Sequence, residues 1–141
     1  MNKPITRERL KRYRYMIIEL NNQVERVSKK RGELESPAAV NGNGLPAKRS
    51  HAEDRLSVNI AHIVDLEKII SENIRTLAEE IVSLENAVQR LEDPCEREII
   101  RLRYFECRKW NDIGHVLHFE TTKLGHVHSR ALHHLYENSM A

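Results

Sequence analysis

No stretch of eighteen consecutive apolar residues occurs in this sequence, which argues against a membrane-spanning helix. The basic opening MNKPITRERLKRYRY is not followed by the apolar segment of a secretory signal, so none is expected. Cysteine is scarce. Cys95 and Cys107 make no disulfide framework and fit a reducing, cytosolic setting. Aromatic residues amount to only 5% of the 141 residues, too few for a thick globular core. What remains is rich in Leu, Ile and Val, with 31% of residues charged, a mix that favours long helices.

The formal net charge of +2 hides an asymmetry. Residues 1–50 hold 12 Lys and Arg against 5 Asp and Glu, whereas residues 51–92 hold 4 against 9. Residues 93–141 balance at 7 and 7. A basic segment followed by an acidic one suits a solvated pair of helices that attract each other, and equally a basic segment that meets nucleic acid.

The first helix is expected to start after Thr6, a serviceable N-cap. Leu10, Ile17 and Val24 occupy one heptad position, and Tyr13, Leu20, Val27 and Leu34 the other, with Arg31 as a polar interruption. The stretch ESPAAVNGNGLPAK, with two prolines and two Asn-Gly pairs, reads as a flexible loop over 36–49. Ser50 and Glu53 have capping-box spacing. A second seam then runs through Leu56, Ile60, Ile63, Glu67, Ile70, Ile74, Leu77, Ile81, Leu84, Val88 and Leu91. Two long amphipathic helices joined by a loop predict an antiparallel hairpin. The second outruns the first and carries extra apolar residues at Val64, Leu66, Ile69 and Val82. This surplus points to a homo-oligomer, most simply a dimer. Ile60, Ile63, Ile70, Ile74, Leu77, Ile81, Leu84 and Val88 are its candidate interface.

Asp93-Pro94-Cys95-Glu96 opens another helix. Asp93 can cap, Pro94 suits the first helical position, and Glu96 completes a capping box. This helix is expected to run to about Phe105, with Ile99, Ile100, Leu102 and Tyr104 as its apolar face. The segment KWNDIGHVLHFETTKLGHVHSRALHHL then has the pattern of a helix-turn-helix. Ile113, Leu117, Phe119, Leu124 and Val127 form the buried set. Gly114 is the small residue at the helix crossing, and His118 stands where the chain turns through positive φ. The last helix is expected over about Thr121–Leu135, with Leu124, Val127, Ala131 and Leu135 inward and Thr121, Thr122, Gly125, His126, Ser129 and Arg130 outward. The first outer residues of such a helix reach base edges in the major groove. Arg108, Lys109, Lys123 and Arg130 are the expected phosphate contacts.

EREIIRLRYFECRKWNDIGHVLHF followed by RALHHL resembles region 4 of bacterial sigma factors. Trp110 before Asn111-Asp112-Ile113, and Val127-His128 with Ala131-Leu132, look closer to a subgroup. These are the small sigma-like regulators of phages and prophages of Gram-positive bacteria, the ArpU/RinA type of late-gene activator. The match covers about 45 residues; the N-terminal half matches only in helical periodicity. The pattern departs from region 4 at Gly114, where Ala is common, and at His118, where Gly is. Lys109 and Glu120 replace the expected capping Ser or Thr, and Gly125 lies inside the recognition helix.

The sequence therefore predicts an all-α fold: a coiled-coil hairpin over residues 1–92 and a three-helix bundle with a helix-turn-helix over residues 93–141. The expected function is sequence-specific binding of double-stranded DNA by a transcription regulator. Through the resemblance this is a phage or prophage late-gene activator in the bacterial host cytoplasm, with RNA polymerase as a second partner. The alternative is a helical interaction protein that takes a protein partner, such as RNA polymerase, in place of DNA. No enzyme chemistry is expected, because no convergent acid, base or nucleophile set exists. No cofactor or metal is expected either. His115-x-x-His118 and His126-x-His128 match no standard zinc spacing. The six histidines between 115 and 134 sit near their titration point at neutral pH, with His128 beside the buried Val127 as the one expected to be packed.

Overall fold

The computed structural model describes residues 3–35 and 49–141, with side chains from residue 52 onward in the second stretch. The protein is all-α: α1 (Arg7–Glu35), α2 (Arg49–Gln89), α3 (Pro94–Ile100, continued as a π-helical turn over Arg101–Phe105), α4 (Trp110–Leu117) and α5 (Thr121–Met140). The described residues contain no strand. Two compact units form, Met1–Ile18 with Thr76–Ala141, and Glu19–Arg75. The boundary expected between residues 92 and 93 marks the turn from α2 into α3, and the first unit draws on both sides of it.

In the unit spanning Glu19–Arg75, α1 and α2 run antiparallel. Asn73 Nδ2 donates to Gln23 Oε1 at 2.9 Å, and Arg31 pairs with Glu67. Arg31 and Glu67 are the polar interruptions of their two seams, so the breaks in the apolar pattern meet each other. Both are about half exposed, so the pair adds at most about 1 kcal/mol. Its larger effect is on register, since a one-turn slip would set each charge against an apolar residue. Val27 and Ile63 are buried here. Leu56, Val58, Ile60, Val64, Ile69 and Ile74 are 42–66% exposed, which leaves apolar surface along α2 uncovered. The loop expected over 36–49 lies outside the described residues except for Arg49, which begins α2. The Ser50 side chain of the expected capping box lies outside them too.

In the other unit Thr6 caps α1, its Oγ1 accepting from the Arg9 N–H at 3.2 Å. Leu10 and Tyr13 from α1, and Leu77, Leu84, Val88 and Leu91 from α2, are buried, as are Ile99, Ile100, Leu102 and Tyr104. Each such aliphatic side chain contributes about 1.5–3 kcal/mol on leaving water. Polar contacts fix the helices around this core. Arg9 reaches Glu80 at 2.5 Å, and Arg101 reaches Glu85 at 2.5 Å and Gln89 at 2.8 Å. Arg97 closes the end of α2 by donating to the carbonyls of Leu91 and Glu92. The Ile5 N–H donates to Ser139 Oγ at 3.0 Å, tying the start of the chain to the end of α5.

Two local expectations are corrected. Asp93 does cap α3, accepting from the Cys95 N–H at 2.8 Å with Pro94 in the first turn. Glu96, however, does not turn back to complete a capping box. It is buried, and both its carboxylate oxygens lie within 3.0 Å of His134 Nδ1 on α5. A carboxylate in an apolar setting needs a charge-assisted partner, and the packing of α3 on α5 supplies one. The helix also does not stay regular to Phe105. It widens into π geometry over Arg101–Phe105 and ends as Cys107 enters left-handed backbone at φ 58°. The turn is held by the Glu106 N–H to Arg101 O and the Arg108 N–H to Leu102 O, both 2.9 Å. Tyr13 of α1 packs edge-on against Phe105, with ring centres 5.7 Å apart.

Candidate nucleic-acid interface

α4 and α5 are joined by His118-Phe119-Glu120. His118 ends α4 in left-handed backbone, φ 58° and ψ 40°, and the Phe119 N–H returns to Gly114 O at 3.0 Å. A Cβ on Gly114 would stand 3.2 Å from Phe119 O, closer than most side chains come to backbone. Glycine thus leaves room at this crossing that a larger side chain would take only by shifting the turn. Ile113 and Leu124 are buried across the crossing, and Leu117 and Phe119 are half-buried. Gly125, by contrast, has nothing within 4 Å of where its Cβ would be, so its absence of side chain serves no close packing.

α5 buries Leu124, Val127, His128, Ala131 and Leu135. The helix continues past the expected end at Leu135 to Met140. Its opposite arc holds Thr121, Thr122, Lys123, His126, Ser129 and Arg130, all exposed. Arg108 and Lys109 are exposed just before α4. Arg108 already has a carboxylate partner, Glu106 at 3.3 Å, and Lys123 Nζ rests 4.4 Å from the centre of the Phe119 ring. Neither α4 nor α5 has a side-chain cap, since Lys109 and Glu120 hold the N-cap positions without a capping bond. Their first-turn N–H groups thus lack a capping side chain at the positive end of each helix dipole.

The six histidines divide by environment. His128 is buried, its Nε2 2.7 Å from the Tyr104 hydroxyl and its ring 4.7 Å from Trp110. Burial and then the cations Arg7, Arg103 and Lys11 push its pKa down to about 4. It is neutral at pH 7, and its Nε2 shares one hydrogen bond with the Tyr104 hydroxyl. His134 is shifted the other way, raised chiefly by its hydrogen bond to Glu96. His133 pairs with Glu137 one turn on, at 3.0 Å. His115, His118 and His126 have no hydrogen bond, ion pair or ring contact among the described residues.

Of the residues expected at an oligomer interface, Ile63, Leu77, Leu84 and Val88 are buried within the single chain and Ile70 and Ile81 are half-buried. Ile60 and Ile74 remain exposed. The intramolecular seam uses most of the heptad positions. The surface left on α2 in the Glu19–Arg75 unit is the flanking set with Leu56, Val58, Val64 and Ile69. Among the described residues no three of His, Cys, Asp or Glu are grouped to hold a metal ion, and no helix is long and apolar enough to cross a membrane. The sequence reading missed a cluster of cations, Arg7, Lys11, Arg14 and Arg103, around Trp110. Three of them recur at i, i+4 and i+7 on α1, a signal hidden behind the apolar seam on the same helix.

No protein-family model, curated protein or solved structure matches the chain.

Proposed function

We propose that the protein is a DNA-binding transcription regulator that reads duplex DNA with the exposed arc of α5. The observation that carries this reading is the α4–turn–α5 geometry. Gly114 admits the tight crossing and His118 makes the left-handed turn. The outward arc of α5 then bears Thr121, Thr122, Lys123, His126, Ser129 and Arg130 free of the core. Lys123 and Arg130 act on phosphates and Thr122 and His126 on bases. With the region 4 resemblance, this makes the protein a phage or prophage late-gene activator that works in the cytoplasm of a bacterial host and contacts RNA polymerase. It acts as a homodimer held by the apolar surface left on α2.

The test is fluorescence anisotropy with duplex DNA from upstream of the protein's own gene. Lys123→Ala should weaken binding to all sequences, and His126→Ala should relax preference for the cognate duplex. If both variants bind the cognate duplex as wild type does, with helicity unchanged, α5 is not the reading helix.

A second reading is a helical interaction protein with no DNA partner. Two observations favour it: the zero net charge of residues 93–141, and the exposed Leu56, Val58, Ile60, Val64, Ile69 and Ile74 on α2. DNA affinity rests largely on neutralised phosphates, so a neutral reading domain must find positive charge elsewhere in the chain. Absence of any duplex binding at low salt favours this second reading.

A further inference from the structure

Arg7, Lys11 and Arg14 form one stripe on α1, because residues at i, i+4 and i+7 stack on a helix of 3.6 residues per turn. The stripe borders a small open cleft, which Arg103 and Trp110 line from the other side. None of these four cations makes an ion pair with a carboxylate among the described residues, although Arg9, Arg31, Arg101 and Arg108 all do. Arg103 is held in place from two directions. Its guanidinium lies 4.6 Å over the Trp110 ring and donates to Arg108 O at 3.1 Å. Arg14 Nε is buried and has no hydrogen-bond partner. A buried donor left unpaired is costly and rare in folded proteins, and here it is a guanidinium edge beside three other cations. Burial lowers Arg103, with the Arg14 charge adding to it, and burial lowers His128, with Arg7, Arg103 and Lys11 adding to it, as expected where mutually repelling cations stand close together.

An oxyanion would turn that repulsion into attraction and satisfy the Arg14 edge. Guanidinium forks match the paired oxygens of carboxylate and phosphate alike. Four convergent cations favour phosphate, whose tetrahedral oxygens can serve several donors at once. We propose that Arg7, Lys11, Arg14 and Arg103, with Trp110 beside them, form a phosphate-binding site separate from the α5 arc. Its source as duplex backbone rests on the DNA-binding reading above; a free phosphate is the same chemistry from another source. As a backbone site it supplies the positive charge that residues 93–141 lack, since residues 3–14 carry six Lys and Arg against one Glu.

Trp110 is the only tryptophan, so its emission reports on the site directly. The full chain is titrated with a duplex and, separately, with inorganic phosphate against chloride at matched ionic strength. Lys11→Gln and Arg14→Gln are compared with wild type and with Lys123→Ala. Lys11 is exposed, so its replacement leaves the fold intact even if that of Arg14 does not. The expected result is a Trp110 response to duplex that survives in Lys123→Ala, with the log–log salt slope of affinity falling by about 0.9 in Lys11→Gln. If duplex binds and both cleft variants keep the wild-type slope, the site is overturned and the DNA reading stands. If no duplex binds but phosphate shifts Trp110 emission beyond chloride, and the cleft variants abolish the shift, the site stands and the DNA reading fails. If phosphate and chloride act alike and no duplex binds, the site is overturned.

Discussion

His128 makes the folded protein sensitive to acid in a way that can be isolated. Its pKa of about 4 lies below the 6.5 of an exposed imidazole. Between those values the unfolded chain takes up a proton that the folded chain refuses. No stability is at stake above pH 6.5, and stability is lost as pH falls from there toward 4. Linkage puts the ceiling at about 2 kcal/mol between pH 7 and pH 5, since each pKa unit is worth about 1.4 kcal/mol. Relaxation of the surroundings around a charged ring trims this to between about 1 and 2 kcal/mol. Other groups titrate over the same range, so the informative quantity is a difference between proteins. His128→Gln keeps a hydrogen-bonding group near the Tyr104 hydroxyl and cannot titrate. Urea unfolding followed by Trp110 emission, 4.7 Å from His128, is read at pH 7 and pH 5 for both proteins. Wild type should lose about 1–2 kcal/mol more than His128→Gln between the two pH values. Equal losses, within about 0.3 kcal/mol, would refute the argument that burial and the cations Arg7, Arg103 and Lys11 keep this ring neutral.

Glu96→Gln replaces the carboxylate that raises His134, chiefly through its hydrogen bond and further through its charge. Below pH 6.5 it should cost about 1 kcal/mol, less than a fully buried charge-assisted bond because His134 is 47% exposed. That wild-type advantage is lost as pH rises through the raised His134 pKa, so the two unfolding midpoints should converge at alkaline pH. Gly125→Ala meets nothing within 4 Å and should stabilise α5 by about 0.5–1 kcal/mol, read as a rise in unfolding midpoint. Gly114→Val drives a branched side chain at Phe119 O and should destabilise by about 1–3 kcal/mol in the same assay. Ile74 is 50% exposed in the single chain, so Ile74→Asp should leave the fold and its helicity in place while reducing self-association in sedimentation. A wild-type monomer at all concentrations would remove the dimer from the proposal.

Much of the fold is local, and so was legible. Thr6 and Asp93 cap their helices as their side chains allow, and Pro94 sits where a missing N–H costs nothing. Gly114 and His118 announce the helix-turn-helix because a close crossing and a left-handed turn each restrict the residue that can stand there. Periodicity identified the apolar seams but not their use. The same spacing serves a helix packed within its chain and one packed against a copy, so Ile63 and Ile74 look alike in sequence, yet only Ile63 is buried. Glu96 misled for a related reason. Capping-box spacing is permissive, and the carboxylate follows whichever partner packing brings nearest, here His134, 38 residues away.

The sequence by itself determined the helices, the Thr6 and Asp93 caps, the turn and the outward arc of α5, because each depends on residues within one or two turns of one another. Tertiary structure decided what lay between distant segments. It closed Tyr104 over His128 and set that imidazole's charge. It widened the end of α3 into a π turn, and it brought Arg103 to the Arg7–Lys11–Arg14 stripe some ninety residues earlier in the chain. Desolvation and Coulomb interaction depend on distance through space, and no spacing along a chain encodes that until the helices have packed.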